Sequence, residues 1–271
     1  MPAVEVGNAS LHYERTGSGE RLVLVHGSWV DQRSWSALIP LLESSFEVVS
    51  YDRRGHGRSE GDPGSGSAFE DGEDLAGLIE SLDIAPAYVV GNSFGGSIAL
   101  FLAARRPELF RALSVHEPPL FGLLADDPDM KEEMDAVGEH LATVVGIIES
   151  GDHERAAKLF VEEVALGPGS WENVLTPEIR SSMVQNAPTF TDEIGDQGSF
   201  RIDPAALRDF PHPALLTRGD QSPGFRVRPL DAIGRALPGW RQATIAAAGH
   251  VPQLSHPEEY ARLITEFFRS A

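Results

Sequence analysis

Ser93 stands in the segment Gly91-Asn92-Ser93-Phe94-Gly95, which has the residue types and spacing of a nucleophile turn. An apolar run precedes this segment and a run of small residues follows it, so the serine should lie between a strand and a helix. Glycines without a Cβ allow the backbone to turn sharply there, and the hydroxyl then projects above the sheet. Backbone amides at the start of the helix can stabilise developing negative charge. We therefore predict that Ser93 is a nucleophile that attacks an acyl carbon.

His250 is the histidine best placed to accept the proton of Ser93. It follows Gly249 after the last apolar run, before a helix that should begin near Pro257. A base must approach the serine from a loop at the same edge of the sheet, and in one known order of such groups the histidine comes last. The less suitable histidines are His56, His140, His153 and His256. We predict that His250 is the general base.

The loop after the first buried run has the composition of an oxyanion-binding loop. It reads Val25-His26-Gly27-Ser28-Trp29, and its glycine would let the loop backbone approach the nucleophile. We predict that the backbone N–H groups of Ser28 and Phe94 hold the oxyanion. His26 is interpreted as a structural residue of this loop.

Short apolar runs alternate with helical patterns, as a parallel sheet flanked by helices requires. Buried strands are predicted at 21–25, 46–50, 87–90, 112–115, 214–217 and 241–246. Helices are predicted at 34–43, 68–82, 95–105, 228–237 and 257–269. Residues 4–16 alternate before a turn at 16–19, which predicts an antiparallel hairpin at the sheet edge. The Gly- and Ser-rich residues 61–67 predict a loop.

The alternation of strands and helices stops in the middle of the chain. Helical patterns follow one another at about 127–149, 152–166, 170–186 and, more weakly, 190–197. Helix-breaking prolines stand on both sides of this region. We therefore expect residues 1–118 and 210–271 to form an α/β core, and residues 119–209 to form a helical cap (a lid) over the strand ends.

Four segments together resemble the α/β-hydrolase superfamily, in particular its serine esterase-like branch. They are His26-Gly27, Asp52-Arg53-Arg54-Gly55-His56-Gly57-Arg58-Ser59, Gly91-Asn92-Ser93-Phe94-Gly95-Gly96 and Gly249-His250. The resemblance covers about 10–118 and 210–270. It implies the α/β-hydrolase fold, with a mostly parallel sheet flanked by helices and an inserted helical cap. It also implies that residues 52–59 are scaffold and not catalytic machinery.

The acid of the catalytic triad departs from the common pattern of these relatives. Their acid most often stands three residues after a glycine that follows the strand at 214–217, and Ser222 occupies that position here. Two carboxylates remain, Glu117 at the end of the preceding strand and Asp220 on the expected loop. The position of Glu117 is the alternative acid site that some dehalogenase-like branches of the superfamily use. A side chain at a strand end points toward the site, which favours Glu117, and Asp220 stays open.

These residues predict a serine hydrolase that cleaves a carboxylic ester or lactone through an acyl-enzyme, without a cofactor or metal. The same nucleophile permits a C–C bond hydrolase or a cofactor-free perhydrolase. An alternative of a different class is a ligand receptor that retains the triad. We expect a small-molecule, largely apolar acyl substrate. The candidate substrate-binding residues are Trp29, Leu120, Phe121 and Trp171.

Composition restricts the partners and the compartment. The 271 residues carry a formal net charge of −19, which disfavours nucleic acid and anionic membrane surfaces as partners. The absence of cysteine excludes disulfides and thiolate chemistry. No signal-peptide pattern and no apolar run near the ~20 residues of a membrane span is present. We expect a cytoplasmic protein, and the sequence does not predict its oligomeric state.

Overall fold

The structure is a computed structural model that describes residues 2–61 and 66–271. Residues 62–65, most of the predicted Gly- and Ser-rich loop, lie outside the described residues. The strands are β1 (Ala3–Val6), β2 (Ala9–Gly17), β3 (Glu20–Val25), β4 (Phe46–Tyr51), β5 (Glu60–Gly61), β6 (Ala87–Asn92), β7 (Phe110–His116), β8 (Ala214–Gly219) and β9 (Arg241–Ile245). Within the described residues they form one sheet in the order β1-β2-β4-β3-β6-β7-β8-β9, and β5 pairs with β2.

The sheet is parallel from β4 to β9 and antiparallel at the β1 edge. The six predicted buried strands are all present, and their ends differ from the prediction by at most two residues. Their continuous apolar composition fits a sheet that is covered on both faces. The parallel arrangement brings the carboxyl ends of β3, β6, β7 and β8 to one edge of the sheet. The segments that contain the predicted catalytic residues follow these strand ends.

The edge hairpin exists, but its turn was predicted in the wrong place. β1 and β2 pair antiparallel around a turn at 7–8. The turn at 16–19 does not return the chain alongside β2, because β4 lies between β2 and β3. Gly17 is needed in this connection: its φ is 76°, and a Cβ there would lie 2.4 Å from the carbonyl oxygen of Phe46.

The helices match most of the predicted helical patterns. They are α1 (Ile39–Leu42), α2 (Ala68–Ser81), α3 (Phe94–Arg105), α4 (Lys131–Glu149), α5 (His153–Leu159) continuing as a π-helix (Phe160–Ala165), α6 (Ser170–Asn173), α7 (Pro177–Gly195), α8 (Gly224–Ala236), α9 (Pro252–Ser255) and α10 (Pro257–Arg269). The helix predicted at 34–43 is instead a 3₁₀ turn (Gln32–Trp35) and the short α1. Pro40 explains this break, since it lacks an N–H for a continuous helix.

Two cores cover the sheet, and a third lies in the helical insertion. Apolar residues of α2, α3 and α8 pack on one face of the sheet, and those of α1 and α10 pack on the other. All elements between β7 and β8 are helical in the described residues, and α4, α5 and α7 share a core of their own. No described helix is both long and apolar enough to cross a membrane.

A buried ion network joins α7 of the insertion to the sheet core. The Arg53 guanidinium is 1% exposed and lies 2.6 Å from Asp71 Oδ2 of α2. It also pairs with Glu193 of α7, and it lies over the Phe94 ring with its Cζ 5.0 Å from the ring centroid. Two buried carboxylates from different parts of the fold therefore share one cation.

Arg53→Met should lower the free energy of unfolding by about 3–5 kcal/mol, because it leaves two buried carboxylates without their cation. Denaturant unfolding followed by tryptophan fluorescence measures this change. Arg106→Met is the matched control, since Arg106 pairs with Glu80 and Glu108 at the surface and should matter far less. Equal losses in the two variants would contradict a special role for the buried network.

Candidate active site

Ser93 lies in a strained turn between β6 and α3. Its φ of 54° is unusual for a residue with a Cβ. The flanking glycines are required by close backbone contacts: a Cβ at Gly91 would lie 2.4 Å from the carbonyl oxygen of Gly95, and one at Gly95 would lie 2.2 Å from that of Val25. The turn leaves Ser93 only partly buried and on the wall of a narrow cavity.

Two backbone N–H groups near Ser93 are candidates for binding an oxyanion. Gly27 approaches so closely that a Cβ there would lie 3.1 Å from the Ser93 Cβ. The N–H groups of Ser28 and Phe94 donate to no acceptor in the described part of the chain. Ser28 lines the same cavity as Ser93, and Phe94 begins α3. Paired free donors of this kind can hold an oxyanion.

His26 holds the loop that carries the first of these donors, Ser28. Its Nε2 accepts from the Arg53 backbone N–H at 2.9 Å, and its Nδ1 lies 2.9 Å from the Gly27 carbonyl oxygen. Burial lowers the pKa of His26 to about 3, so the ring is neutral at physiological pH. The ring thereby ties the loop after β3 to the loop after β4.

The structure places Glu117, and not Asp220, beside His250. Glu117 Oε2 lies 2.9 Å from His250 Nδ1, and Glu117 Oε1 accepts from the Gly219 N–H at 2.8 Å. The Glu117 side chain is fully buried and its backbone φ is 44°, directly after β7. Asp220 is exposed, and its carboxylate accepts from the Gln221 side chain.

Burial and neighbouring charges set the protonation of this pair. Burial alone would raise the pKa of Glu117, but His116, His250 and Arg226 outweigh it and hold that pKa well below its ordinary value. Burial, assisted by the Arg226 guanidinium and opposed by Glu117, lowers the pKa of His250 to about 4. At neutral pH the site thus contains a carboxylate and a neutral imidazole, which can accept a proton.

One group of possible metal ligands appears among the described residues: His116, Glu117 and His250, whose ligand atoms lie within 4.8 Å of one another. Sequence spacing did not reveal it, because β7 and the loop after β9 meet only in the fold. All three side chains have partners within the protein. His116 Nδ1 lies 3.0 Å from Thr217 Oγ1, and both Glu117 oxygens are hydrogen-bonded.

Arg226 is a site residue that sequence reasoning missed. Its Nη1 lies 2.9 Å from Nε2 of His250, and its Nη2 donates to the Val164 carbonyl oxygen at 3.0 Å. No hydrogen bond joins Ser93 Oγ to His250 in the described residues. Arg226 is one of three arginines in α8, and nothing in the sequence distinguishes it from the others.

A second missed feature supports the backbone of His250. Asn92 Nδ2, from the nucleophile turn, donates to the His250 carbonyl oxygen at 3.0 Å. Gln253 Nε2 in turn donates to Asn92 Oδ1 at 3.2 Å. Asn92 precedes Ser93 directly, so this contact fixes the histidine loop relative to the serine.

Two adjoining cavities meet at His250. The narrower one, about 60 Å³, contains Ser93 and is mostly apolar. Side chains of the helical insertion supply much of its wall: Phe160, Leu166, Leu175, Ile179 and Met183. The wider cleft, about 460 Å³, is also lined by His250, together with Glu163, Val164, Gln221 and Phe225 among others.

The four residues predicted to bind substrate lie elsewhere. Trp29 is fully buried and packs against Phe160 and Phe190, and Trp171 is buried in the same core of the insertion. Leu120 is buried in the core on one face of the sheet. Phe121 lines a separate surface cavity. The insertion instead contributes Phe160 and several aliphatic side chains to the wall near Ser93.

Comparison with known proteins agrees with this architecture. A family model described as the alpha/beta hydrolase family matches residues 22–263. The crystal structure of an alpha/beta hydrolase from Sphaerobacter thermophilus is 26% identical and has a TM-score of 0.80, covering 98% of this chain and 100% of that one.

Curated relatives match almost end to end. A pimeloyl-(acyl-carrier protein) methyl ester esterase of Methylococcus capsulatus is 30% identical over 274 residues, which cover 96% of this chain and 99% of that protein. The protein of the same name from Aromatoleum aromaticum is 33% identical over 257 residues, covering 92% of this chain and 98% of that one.

Proposed function

The chain belongs to the alpha/beta hydrolase family, and on that basis we propose that it is a serine esterase. In this proposal Ser93 attacks the ester carbonyl, His250 is the general base, and Glu117 is the acid that orients His250. The observation that carries it is the 2.9 Å contact between Glu117 Oε2 and His250 Nδ1, since His250 and Ser93 line the same cavity.

The proposed cycle begins when His250 Nε2 accepts the Ser93 proton and Oγ bonds to the ester carbon. The N–H groups of Ser28 and Phe94 hold the negative oxygen of the tetrahedral intermediate. His250 then gives its proton to the leaving alkoxide, which departs as the alcohol. Water, deprotonated by His250, attacks the acyl-enzyme, and His250 returns this proton to Ser93 Oγ as the carboxylic acid leaves. Glu117 stays ionised and stabilises the imidazolium throughout.

A carboxylic ester is the proposed substrate class because two well-matched relatives are named methyl ester esterases. The narrow apolar cavity suits a short or medium acyl chain. We further propose that residues 119–209 act as a cap, since Leu166, Ile179 and Met183 of this region line the cavity at Ser93.

Initial rates on p-nitrophenyl esters from acetyl to decanoyl test the proposal. We expect turnover that is highest for short or medium chains and that depends on Ser93. A fluorophosphonate label on Ser93 without turnover of any ester would contradict the esterase proposal. That pattern would favour a ligand receptor or a C–C bond hydrolase.

The acid limb of the pH profile should report the lowered pKa of His250. Only the neutral imidazole accepts a proton, so kcat/KM falls as pH drops through that pKa. With a pKa of about 4, we expect kcat/KM to be nearly constant from pH 8 to about pH 5.5 and to halve near pH 4. Tryptophan fluorescence at each pH checks that the fold persists. Half-activity near pH 6.5, the value of an unperturbed histidine, would contradict the environment described for His250.

A further inference from the structure

Arg226 is a buried cation that pairs directly with no carboxylate among the described residues. Its side chain is 4% exposed, and its Nε has no hydrogen-bond partner in the described part of the chain. Nη1 and Nη2 contact a neutral imidazole and a backbone carbonyl. Burial lowers the pKa of Arg226 to about 10, which still leaves the guanidinium charged at neutral pH.

The lack of a partner is notable in this chain. It has 41 acidic and 22 basic residues, and the other deeply buried arginines, Arg53 and Arg54, pair directly with carboxylates. Glu117 is close enough to influence Arg226, but its two oxygens are hydrogen-bonded to His250 and Gly219. A buried charge without a counterion is costly, so an arginine in this position is best explained by an anion from outside the protein.

The neighbours of Arg226 show where such an anion would bind. His250, Val164 and Phe225 contact the guanidinium, and all three line the wider cleft. His250 also lines the narrow cavity that contains Ser93. The guanidinium is not itself part of the described wall of either cavity, so an anion that reached it from the wider cleft would lie next to His250. The planar guanidinium matches a carboxylate, which can accept two parallel N–H bonds.

We propose that Arg226 binds a carboxylate of the substrate, so that the preferred substrate is an ester with a free carboxylate near the ester group. This inference rests on the proposed esterase function and adds the substrate class. The same contact would free the histidine: Nε2 of His250 now accepts from Arg226, and this lone pair must take the Ser93 proton. A substrate carboxylate that draws Arg226 away would make His250 available, whereas a neutral ester would have to displace the guanidinium without compensation.

A matched pair of esters tests the preference. Monomethyl glutarate and methyl pentanoate have the same chain length and differ by a carboxylate in place of a methyl group. We expect kcat/KM to be about 10- to 100-fold higher for monomethyl glutarate, the range of a charge-assisted hydrogen bond. Acid release in a pH-stat measures both rates.

Three variants assign the preference to the residue. Arg226→Met should abolish it, and Arg226→Gln serves if the methionine variant does not fold. Arg228→Met removes a cation from the same helix, where it pairs with Asp127 at the surface, and should keep the preference.

Removing the Arg226 charge should also move the acid limb of the pH profile for methyl pentanoate hydrolysis above pH 4. The Arg226 charge and His116 both lower the pKa of His250, and Glu117 raises it, so loss of the Arg226 charge lets this pKa rise. This shift tests the contact between Arg226 and His250, whereas the preference for monomethyl glutarate tests the binding of a carboxylate.

Binding of glutarate separates this inference from the esterase proposal. Calorimetry should show saturable binding to the wild type and at least 10-fold weaker binding to Arg226→Met. Equal rates on both esters, or a preference that survives in Arg226→Met, would overturn the inference and leave the esterase proposal intact. If neither ester is hydrolysed, the esterase proposal fails. The glutarate affinities then decide whether Arg226 binds a carboxylate, and equal affinities of the wild type and Arg226→Met would refute this role.

Discussion

Ser93→Ala should lower kcat for ester hydrolysis by at least about 10⁴-fold, the scale on which serine hydrolases lose activity without their nucleophile. In the proposed mechanism the hydroxyl oxygen is the atom that bonds to the acyl carbon, and alanine has no atom that can form that bond. Initial rates on the preferred p-nitrophenyl ester measure the loss, after subtraction of the rate of hydrolysis without enzyme. The variant should fold normally, because the Ser93 side chain forms no capping hydrogen bond to α3.

Ser97→Ala is the matched control for this substitution. Ser97 lies one turn further along α3, is fully buried, and its Oγ has no hydrogen-bond partner in the described residues. The same chemical change there should leave kcat within a few-fold of the wild type. Retained turnover in Ser93→Ala, or an equal loss in Ser97→Ala, would refute the assignment of the nucleophile.

Glu117→Gln should lower kcat by about 10³- to 10⁴-fold while leaving the fold intact. The amide has the shape of the carboxylate, but it can neither stabilise the imidazolium nor hold His250 in the tautomer with a proton on Nδ1. The loss in a serine protease with the corresponding change sets this scale. The structural basis is the 2.9 Å contact between Glu117 Oε2 and His250 Nδ1.

Asp220→Asn tests the other candidate for the triad acid, which the sequence left open. Asp220 is exposed and hydrogen-bonds to Gln221, so its variant should retain activity within about two-fold. Both variants are measured on the same ester, with circular dichroism to confirm the fold. The opposite ranking, with Asp220→Asn inactive and Glu117→Gln active, would show that Asp220 is the acid.

The sequence was informative wherever chemistry depends on backbone geometry. The glycines around Ser93 and the alternation of strands and helices predict the turn, the sheet and its buried strands, because each needs particular residue types at fixed spacings. The position of His250 follows from the same alternation. The edge turn was misplaced, because the neighbour of β2 is decided by pairing with β4, which comes later in the chain.

Side-chain direction was harder to predict than backbone position. The sequence offers Glu117 and Asp220 at neighbouring strand ends, and only the fold shows which one points at His250. Trp29 has a φ of 70°, and its ring packs beneath the insertion, away from the cavity at Ser93. Arg226 approaches His250 from α8, on the other side of β9 in the chain, and no local pattern marks such a contact.

Mass spectrometry of the protein after reaction with a fluorophosphonate tests the central claim, that Ser93 is an activated nucleophile. Intact mass gives the number of adducts and peptide mapping gives their position. We predict a single adduct, on the peptide that contains Ser93, and no adduct in Ser93→Ala. An adduct on another residue, or labelling of Ser93→Ala equal to that of the wild type, would contradict the account.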